Sequence, residues 1–248
     1  MFDRGPTWAR EILWAGKHRA VRWLAERGFV ESLHVLLQDQ LRFMNIAYVI
    51  DVGANRGQYG RLLRRLGFKG RIISFEPIEE SFAELSRVAG RDPNWEVHQL
   101  ALGDVDGQLT MNVMSDDVFS SFFEVNAAGR QLFPAESRLA RSETVSVRRL
   151  EGLLPDLVPR SLLWRTHLKC DTQGADNLVI NGLGGLITEI PSLQVEISLI
   201  SIYESQLGYQ AVLGQLHERG YRLTAFSPVA RDGSLCIVEA DALLRRPS

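Results

Sequence analysis

Tyr48-Val-Ile-Asp-Val-Gly-Ala-Asn-Arg-Gly57, followed by Arg71-Ile-Ile-Ser-Phe-Glu-Pro77, reads as a strand, a glycine turn, a helix and a second strand ending in an acid. The apolar run suits a parallel strand covered on both faces, and Gly53 and Gly57 permit a tight turn that lets a ligand approach the backbone. Asp51 stands where the first strand ends. Glu76 lies one helix and one strand later, where a carboxylate accepts hydrogen bonds from both ribose hydroxyls of a nucleotide. The pattern predicts a nucleotide-cofactor cradle in an α/β sheet; the plainer alternative is a strand-turn-helix with ordinary capping glycines.

The composition of the turn bears on which nucleotide is held. A dinucleotide fingerprint wants G-x-G-x-x-G, whereas Asn55 replaces the second glycine and Asp51 precedes the first. A pyrophosphate meets that carboxylate badly. S-adenosylmethionine carries an ammonium and a sulfonium and no phosphate, so an acid at the turn attracts it. S-adenosylmethionine is therefore the expected cofactor, with NAD as the alternative.

The chain has 248 residues, 45% hydrophobic and 23% charged, with a formal net charge of -2, which fits one globular enzyme-sized unit with an added segment. A pI of about 6.2 argues against a nucleic-acid partner, which demands a clustered basic face. Cys170 and Cys236 sit in apolar runs and are expected as buried, reduced thiols. No apolar run approaches the roughly 20 residues that span a bilayer, and no secretory signal opens the chain, so a cytoplasmic protein is expected. Residues 1–45 are expected as a basic, tryptophan-rich helical segment, opened by Pro6 and Thr7 and divided at Gly28. Trp8, Trp14 and Trp23 suit docking onto the catalytic domain or a homodimer partner, or a peripheral contact with an anionic membrane. Residues 46–248 form the expected catalytic domain.

Within that domain strands and helices alternate, predicting doubly wound organisation. Ile78 to Ala89 reads as a helix and Trp95 to Leu102 as a third strand ending at Gly103-Asp104. Asp104 suits either an adenosine contact or a turn role. Residues 108–147 interrupt the repeat as a small β insertion around a polar loop covering the site. There Ser115, Asp116, Asp117, Ser120 and Ser121 offer hydrogen bonds, and Phe119, Phe122 and Phe123 suit either stacking on a substrate or anchoring the loop. The strand Trp164 to Asp171 places Lys169 and Asp171 two apart, hence on one side, an arrangement costly to bury unless the two pair or meet a ligand. Glu196 is a comparable anomaly in the strand Leu193 to Ser198 and should emerge beside Asp171. Of the histidines, His18, His34 and His217 fall in helical runs, and His98 and His167 in strand-like ones, where packing or surface roles are commoner.

On Ile50-Asp-Val-Gly-Ala-Asn-Arg-Gly-Gln-Tyr59, Phe75-Glu-Pro77, Ala101-Leu-Gly-Asp104, Lys169-Cys-Asp-Thr-Gln-Gly-Ala-Asp176, Val195-Glu-Ile197 and Gly220-Tyr221, the chain resembles the FkbM-type S-adenosylmethionine-dependent methyltransferases. The resemblance implies a Rossmann-like class I fold whose seven-stranded mixed sheet has helices on both faces. Tyr221 to Phe226 and Ser234 to Val238 would be its final antiparallel pair. Asp241-Ala-Leu-Leu244 also looks familial, whereas Asp176 stands where the family usually has glutamate. Cofactor contacts are implied for Asp51, Gly53, Asn55, Gly57, Tyr59, Glu76, Pro77, Ala101 and Asp104. An O-methyltransferase is implied, acting on a hydroxyl-bearing small molecule or glycan: a sugar of a glycolipid, polysaccharide or natural product. Asp171 is then the expected general base, Glu196 a substrate contact and Lys169 the cation that orients Asp171. Alternatively Asp171 and Glu196 hold a divalent cation such as Mg2+ that polarises the hydroxyl. A catalytically silent cofactor-binding scaffold and an NAD-dependent sugar-modifying enzyme are the competing readings.

Overall fold

A computed structural model describes residues 32–115 and 119–247; the expectations for Trp8, Trp14, Trp23, His18, Asp116 and Asp117 lie outside these residues. Helix α1 (Leu33–Phe43) starts at Ser32, whose hydroxyl accepts from the Val35 amide at 3.4 Å and so satisfies one of the open first-turn donors. The chain then runs through β1 (Tyr48–Val52), α2 (Gln58–Arg65), β2 (Arg71–Phe75), α3 (Glu79–Ala89) and β3 (Trp95–His98). It leaves the main sheet for β4 (Ala101–Leu102), β5 (Gly107–Met114), the short α4 (Ala127–Leu132) and β6 (Leu139–Arg148). It returns through α5 (Leu150–Leu157), β7 (Thr166–Cys170), α6 (Asp176–Asn181), β8 (Ser192–Ser198), α7 (Tyr209–Glu218), β9 (Arg222–Arg231) and β10 (Ile237–Arg245).

Seven strands form one sheet in the order β3-β2-β1-β7-β8-β10-β9, and the remaining three form a second in the order β4-β6-β5. In the large sheet only β10 runs antiparallel to its neighbours. The Rossmann-like mixed sheet is therefore present. Helices cover both faces. On one, Ile50, Val52, Leu168, Cys170, Leu193, Val195 and Ile197 pack with Leu150, Val179 and Leu216 of α5, α6 and α7. On the other, Val49, Ile72 and Leu243 pack with Leu37 of α1, Leu63 of α2 and Leu85 of α3.

The two faces differ in kind because side chains alternate along a strand. Register pairs Asp51 with Lys169, His167 with Ser192, Lys169 with Gln194, and Glu196 with Asp241. All these groups share the face of Val49, so the centre of the sheet carries a polar stripe beneath α1 and α2. The expected boundary at residue 45 follows a helix that already belongs to this core: Leu37 and Leu41 are buried, and Gln40 donates to Ser192 Oγ at 2.9 Å and to the Leu244 carbonyl at 2.8 Å.

Four expectations are corrected. The third strand stops at His98, and Ala101–Leu102 pair instead with β6. The last strand begins at Ile237, because the Asp232 carboxylate captures the amides of Ser234 and Cys236, at 2.8 and 2.9 Å, in a turn. That turn leaves Cys236 exposed, while Cys170 is buried as expected. Trp164 lies in a 3-10 turn before β7, with the Arg165 guanidinium 5.8 Å from its ring.

Candidate active site

The turn after β1 is shaped by the strand beside it. Gly53 has φ +72°, and a Cβ there would lie 1.9 Å from the carbonyl oxygen of Asp171, so only glycine lets β1 and β7 end side by side. Asn55 also lies in the left-handed region, at φ 46°, where asparagine is tolerated; its side-chain oxygen accepts from the Arg56 amide at 2.7 Å. The Asn55 amide donates to Glu76 Oε2 at 2.8 Å, and the Ile78 amide donates to Oε1 at 2.9 Å. Glu76 is thereby fixed at the end of β2.

A cleft of about 420 Å³, within the size range of small-molecule sites, opens over these strand ends. Gly53, Asn55, Tyr59, Glu76, Pro77 and Ala101 line it, as do Lys169 and Asp171. Asp51, Gly57, Asp104 and Glu196 do not. Asp104 is exposed. Asp51 is fully buried beneath the turn, where Oδ2 accepts from Ser74 at 3.1 Å and Oδ1 faces Lys169 Nζ at 3.3 Å without a well-aligned hydrogen bond. Gly57 caps α2 at φ 81°, and a Cβ there would press on Leu85 and Trp95.

Lys169 ties the turn to the acids. Its ammonium lies 3.3 Å from Asp51, 3.3 Å from Asp171 Oδ2 and 3.2 Å from the Gly53 carbonyl, with the Tyr59 ring 5.4 Å away. Burial disfavours its charge, but the carboxylates of Asp171 and Asp51 outweigh burial and hold it protonated. Asp171 is thus gripped on both oxygens, because Gln173 Nε2 donates to its Oδ1 at 3.1 Å. The same amide donates to Glu196 Oε2 at 2.9 Å, and Gln173 Oε1 accepts from the Tyr203 hydroxyl at 2.9 Å. Gln173 therefore brings Asp171 and Glu196 together as expected. Burial, and then Asp171, Glu239, Asp176 and Asp241, push Glu196 well above the ordinary carboxylate range. Glu239 is lifted to about 7 by burial and by Asp171. The Mg2+ expectation lacks a ligand set: among the described residues no group of three or more His, Cys, Asp or Glu side chains is placed to hold a metal ion.

Gln173, Tyr203, Gln194 and Asp241 were not singled out from sequence. A signal existed for three of them: Gln173 lies in the familial Lys169 to Asp176 run, Gln194 alternates with Glu196 on one strand, and Asp241 opens the familial Asp241 to Leu244 run. Of the three phenylalanines expected near the site, Phe122 lines the cleft, whereas Phe119 packs tilted against Phe133 with ring centroids 4.9 Å apart and Phe123 packs with Val125 and Tyr203. No helix among the described residues is long and apolar enough to cross a membrane.

The profile of the methyltransferase FkbM domain matches residues 51–223. No curated protein sequence matches the chain. Among solved structures, an rRNA methylase from Streptococcus thermophilus aligns with 10% identity and a TM-score of 0.49, covering 89% of this chain and 99% of that one. The magnesium protoporphyrin IX methyltransferase from Synechocystis PCC 6803, solved with bound S-adenosylmethionine, aligns with 10% identity and a TM-score of 0.46, covering 99% and 87%.

Proposed function

Because this chain belongs to the methyltransferase FkbM family, we propose that it moves the methyl group of S-adenosylmethionine to a hydroxyl oxygen, on a sugar of a glycolipid, polysaccharide or natural product. The observation that carries the oxygen acceptor is Asp171: its carboxylate lines the cleft, 39% exposed, and is held on one oxygen by Lys169 and on the other by Gln173. A hydroxyl is a weak acid and needs a positioned base as its oxygen is alkylated.

The cofactor fits the residues present. Gly53, Asn55 and Glu76 line one cleft, Glu76 is held at the end of β2 by the Asn55 and Ile78 amides, and no glycine fingerprint awaits a pyrophosphate. Bound there, S-adenosylmethionine supplies an electrophilic methyl on a sulfonium. The chain's own residues then do three things. Glu76 and the turn fix the cofactor's axis, on which an in-line displacement depends. Asp171 takes the acceptor's proton as the new oxygen-methyl bond forms and the carbon-sulfur bond breaks. Glu196 shares the Gln173 amide with Asp171 and so stands beside the base, where burial and the neighbouring acids favour its protonated form. Asp171 acts as the base, and Glu196, set back from the cleft lining, acts through Gln173; neither serves as a metal ligand.

Calorimetric titration with S-adenosylmethionine, S-adenosylhomocysteine and NAD tests the cofactor. The first two should bind, and Glu76→Ala should weaken both by about tenfold or more, since hydrogen bonds to a charged group are lost. Binding of NAD alone would refute the assignment. On an acceptor found by screening glycans and glycolipids, Asp171→Asn should cut turnover by about 10²-fold or more; a loss of only a few-fold would rule out the base.

A further inference from the structure

Building on the S-adenosylmethionine reading, we propose that Phe122 is the stacking wall of the adenine subsite, so that the inserted sheet supplies part of the base pocket. In the lining Lys169 pairs with Asp171 and Gln194 lies in register beside Lys169, whereas Pro77 and Ile78 directly follow Glu76 and Ile78 packs in one apolar cluster with Ala101, Met111 and Phe122. A ribose held at Glu76 sends its base and its charged methionyl tail in opposite directions. The tail belongs with the charges, and the flat apolar face of the base belongs with the hydrophobic lining.

Phe122 is suited to that contact by how it is held. Its ring packs on the buried cluster of Ile78, Ala101, Met111, Val113 and Val147 while staying partly exposed, which leaves ring surface to the cleft. Both flanks are pinned. The backbone of Ser121 pairs with Asn112 of β5 at 2.9 and 3.1 Å, and the Ser121 hydroxyl donates to the Gln173 carbonyl at 2.6 Å. The Phe123 amide donates to that same hydroxyl at 3.1 Å. The ring is therefore positioned in advance, with little ordering cost on binding.

The test titrates the full-length protein with S-adenosylhomocysteine and with 5′-methylthioadenosine, which keeps the adenosine and lacks the amino-acid tail. Removing an aromatic from beneath a base weakens binding about five- to a hundredfold, so Phe122→Ala and Phe122→Leu should lose that factor for both ligands alike. Phe122→Tyr, which retains the ring, should keep wild-type affinity. A loss confined to S-adenosylhomocysteine would put Phe122 at the tail and overturn the stacking wall, as would unchanged affinity in Phe122→Ala. Equal losses in the alanine and tyrosine variants would also overturn it, by showing a role in folding rather than stacking. Wild-type protein that bound neither ligand would overturn the cofactor reading itself, and the stacking wall with it.

Discussion

A methyl group on Gly53 would meet the Asp171 carbonyl at 1.9 Å while forcing a φ of +72° on a residue with a Cβ. The left-handed backbone alone costs about 1–2 kcal/mol, and the clash adds to it by pushing apart the two strand ends that form the site. Gly53→Ala should therefore lose more than about 2 kcal/mol of unfolding free energy in urea and bind S-adenosylhomocysteine measurably more weakly. A variant within about 0.5 kcal/mol of wild type would show that β1 and β7 do not approach so closely. Gly53 was legible as a turn glycine from its place after an apolar run. The atom that demands it belongs to Asp171, far along the chain, and no local pattern could name it. Gln173 is the same kind of case. Its position after Asp171 was visible, but its clamp depends on φ 52°, on Glu196 from the next strand and on Tyr203 from the loop after that.

Hydrogen bonds link α1 to the cleft through two strands of the sheet, β8 and β7, and through α2. Gln40 of α1 donates to Ser192 Oγ, Ser192 lies 2.6 Å from His167 Nδ1, and His167 Nε2 lies 3.0 Å from the Tyr59 hydroxyl, which donates to Gln194 Oε1 at 3.0 Å. Direction follows from chemistry. A carbonyl oxygen can only accept, so the Tyr59 proton goes to Gln194, His167 must donate through Nε2, and Ser192 must donate to Nδ1. Burial lowers the His167 pKa to about 3, so the ring stays neutral. The 15N imidazole signals should show the Nε2-protonated neutral form of His167 throughout about pH 4–8; a charged ring, or the other tautomer, would break the chain of donors. The unfolded chain takes up a proton near pH 6.5 and the folded state does not, so this group's contribution to stability is lost as pH falls from about 6.5 to about 3. Ser192→Ala should cost about 1–3 kcal/mol by leaving buried partners unsatisfied, read by urea unfolding. Strands β1 and β2 were legible because each is a short apolar run bounded by turn residues, and β7 and β8 by their place in the alternation of strands and helices. The stripe of polar residues across them was not, because period-two alternation tells which residues share a side and not which strands adjoin.

At the scale of the molecule, a formal charge of -2 gives no hint that acids from different elements meet at one sheet edge. Asp171 follows β7, Asp176 opens α6, Glu196 sits on β8, and Glu239 and Asp241 on β10; only the topology brings them together. That crowding, with burial as the larger cause, has a global consequence. Asp176 is lifted to about 8 by burial and then by Asp171, and Glu239 to about 7. Each binds a proton in the folded state that the unfolded chain releases near pH 4, so folding grows less favourable as pH rises from about 4 to the folded-state value. His167 works in the opposite sense, but its contribution is complete above about pH 6.5. Between about pH 6.5 and 8 the raised acids are left unopposed by it, and Asp176 alone should lower the unfolding free energy by about 1–2 kcal/mol. Asp176→Asn removes the titrating proton and preserves the side-chain oxygen that accepts from the Thr172 amide at 3.3 Å. Urea unfolding at pH 5, 6.5 and 8 should therefore show wild-type stability falling over the last interval and the variant falling less. An identical decline in both proteins would mean that Asp176 is ionised in the folded state, and that the acids at this edge are better solvated than their burial implies.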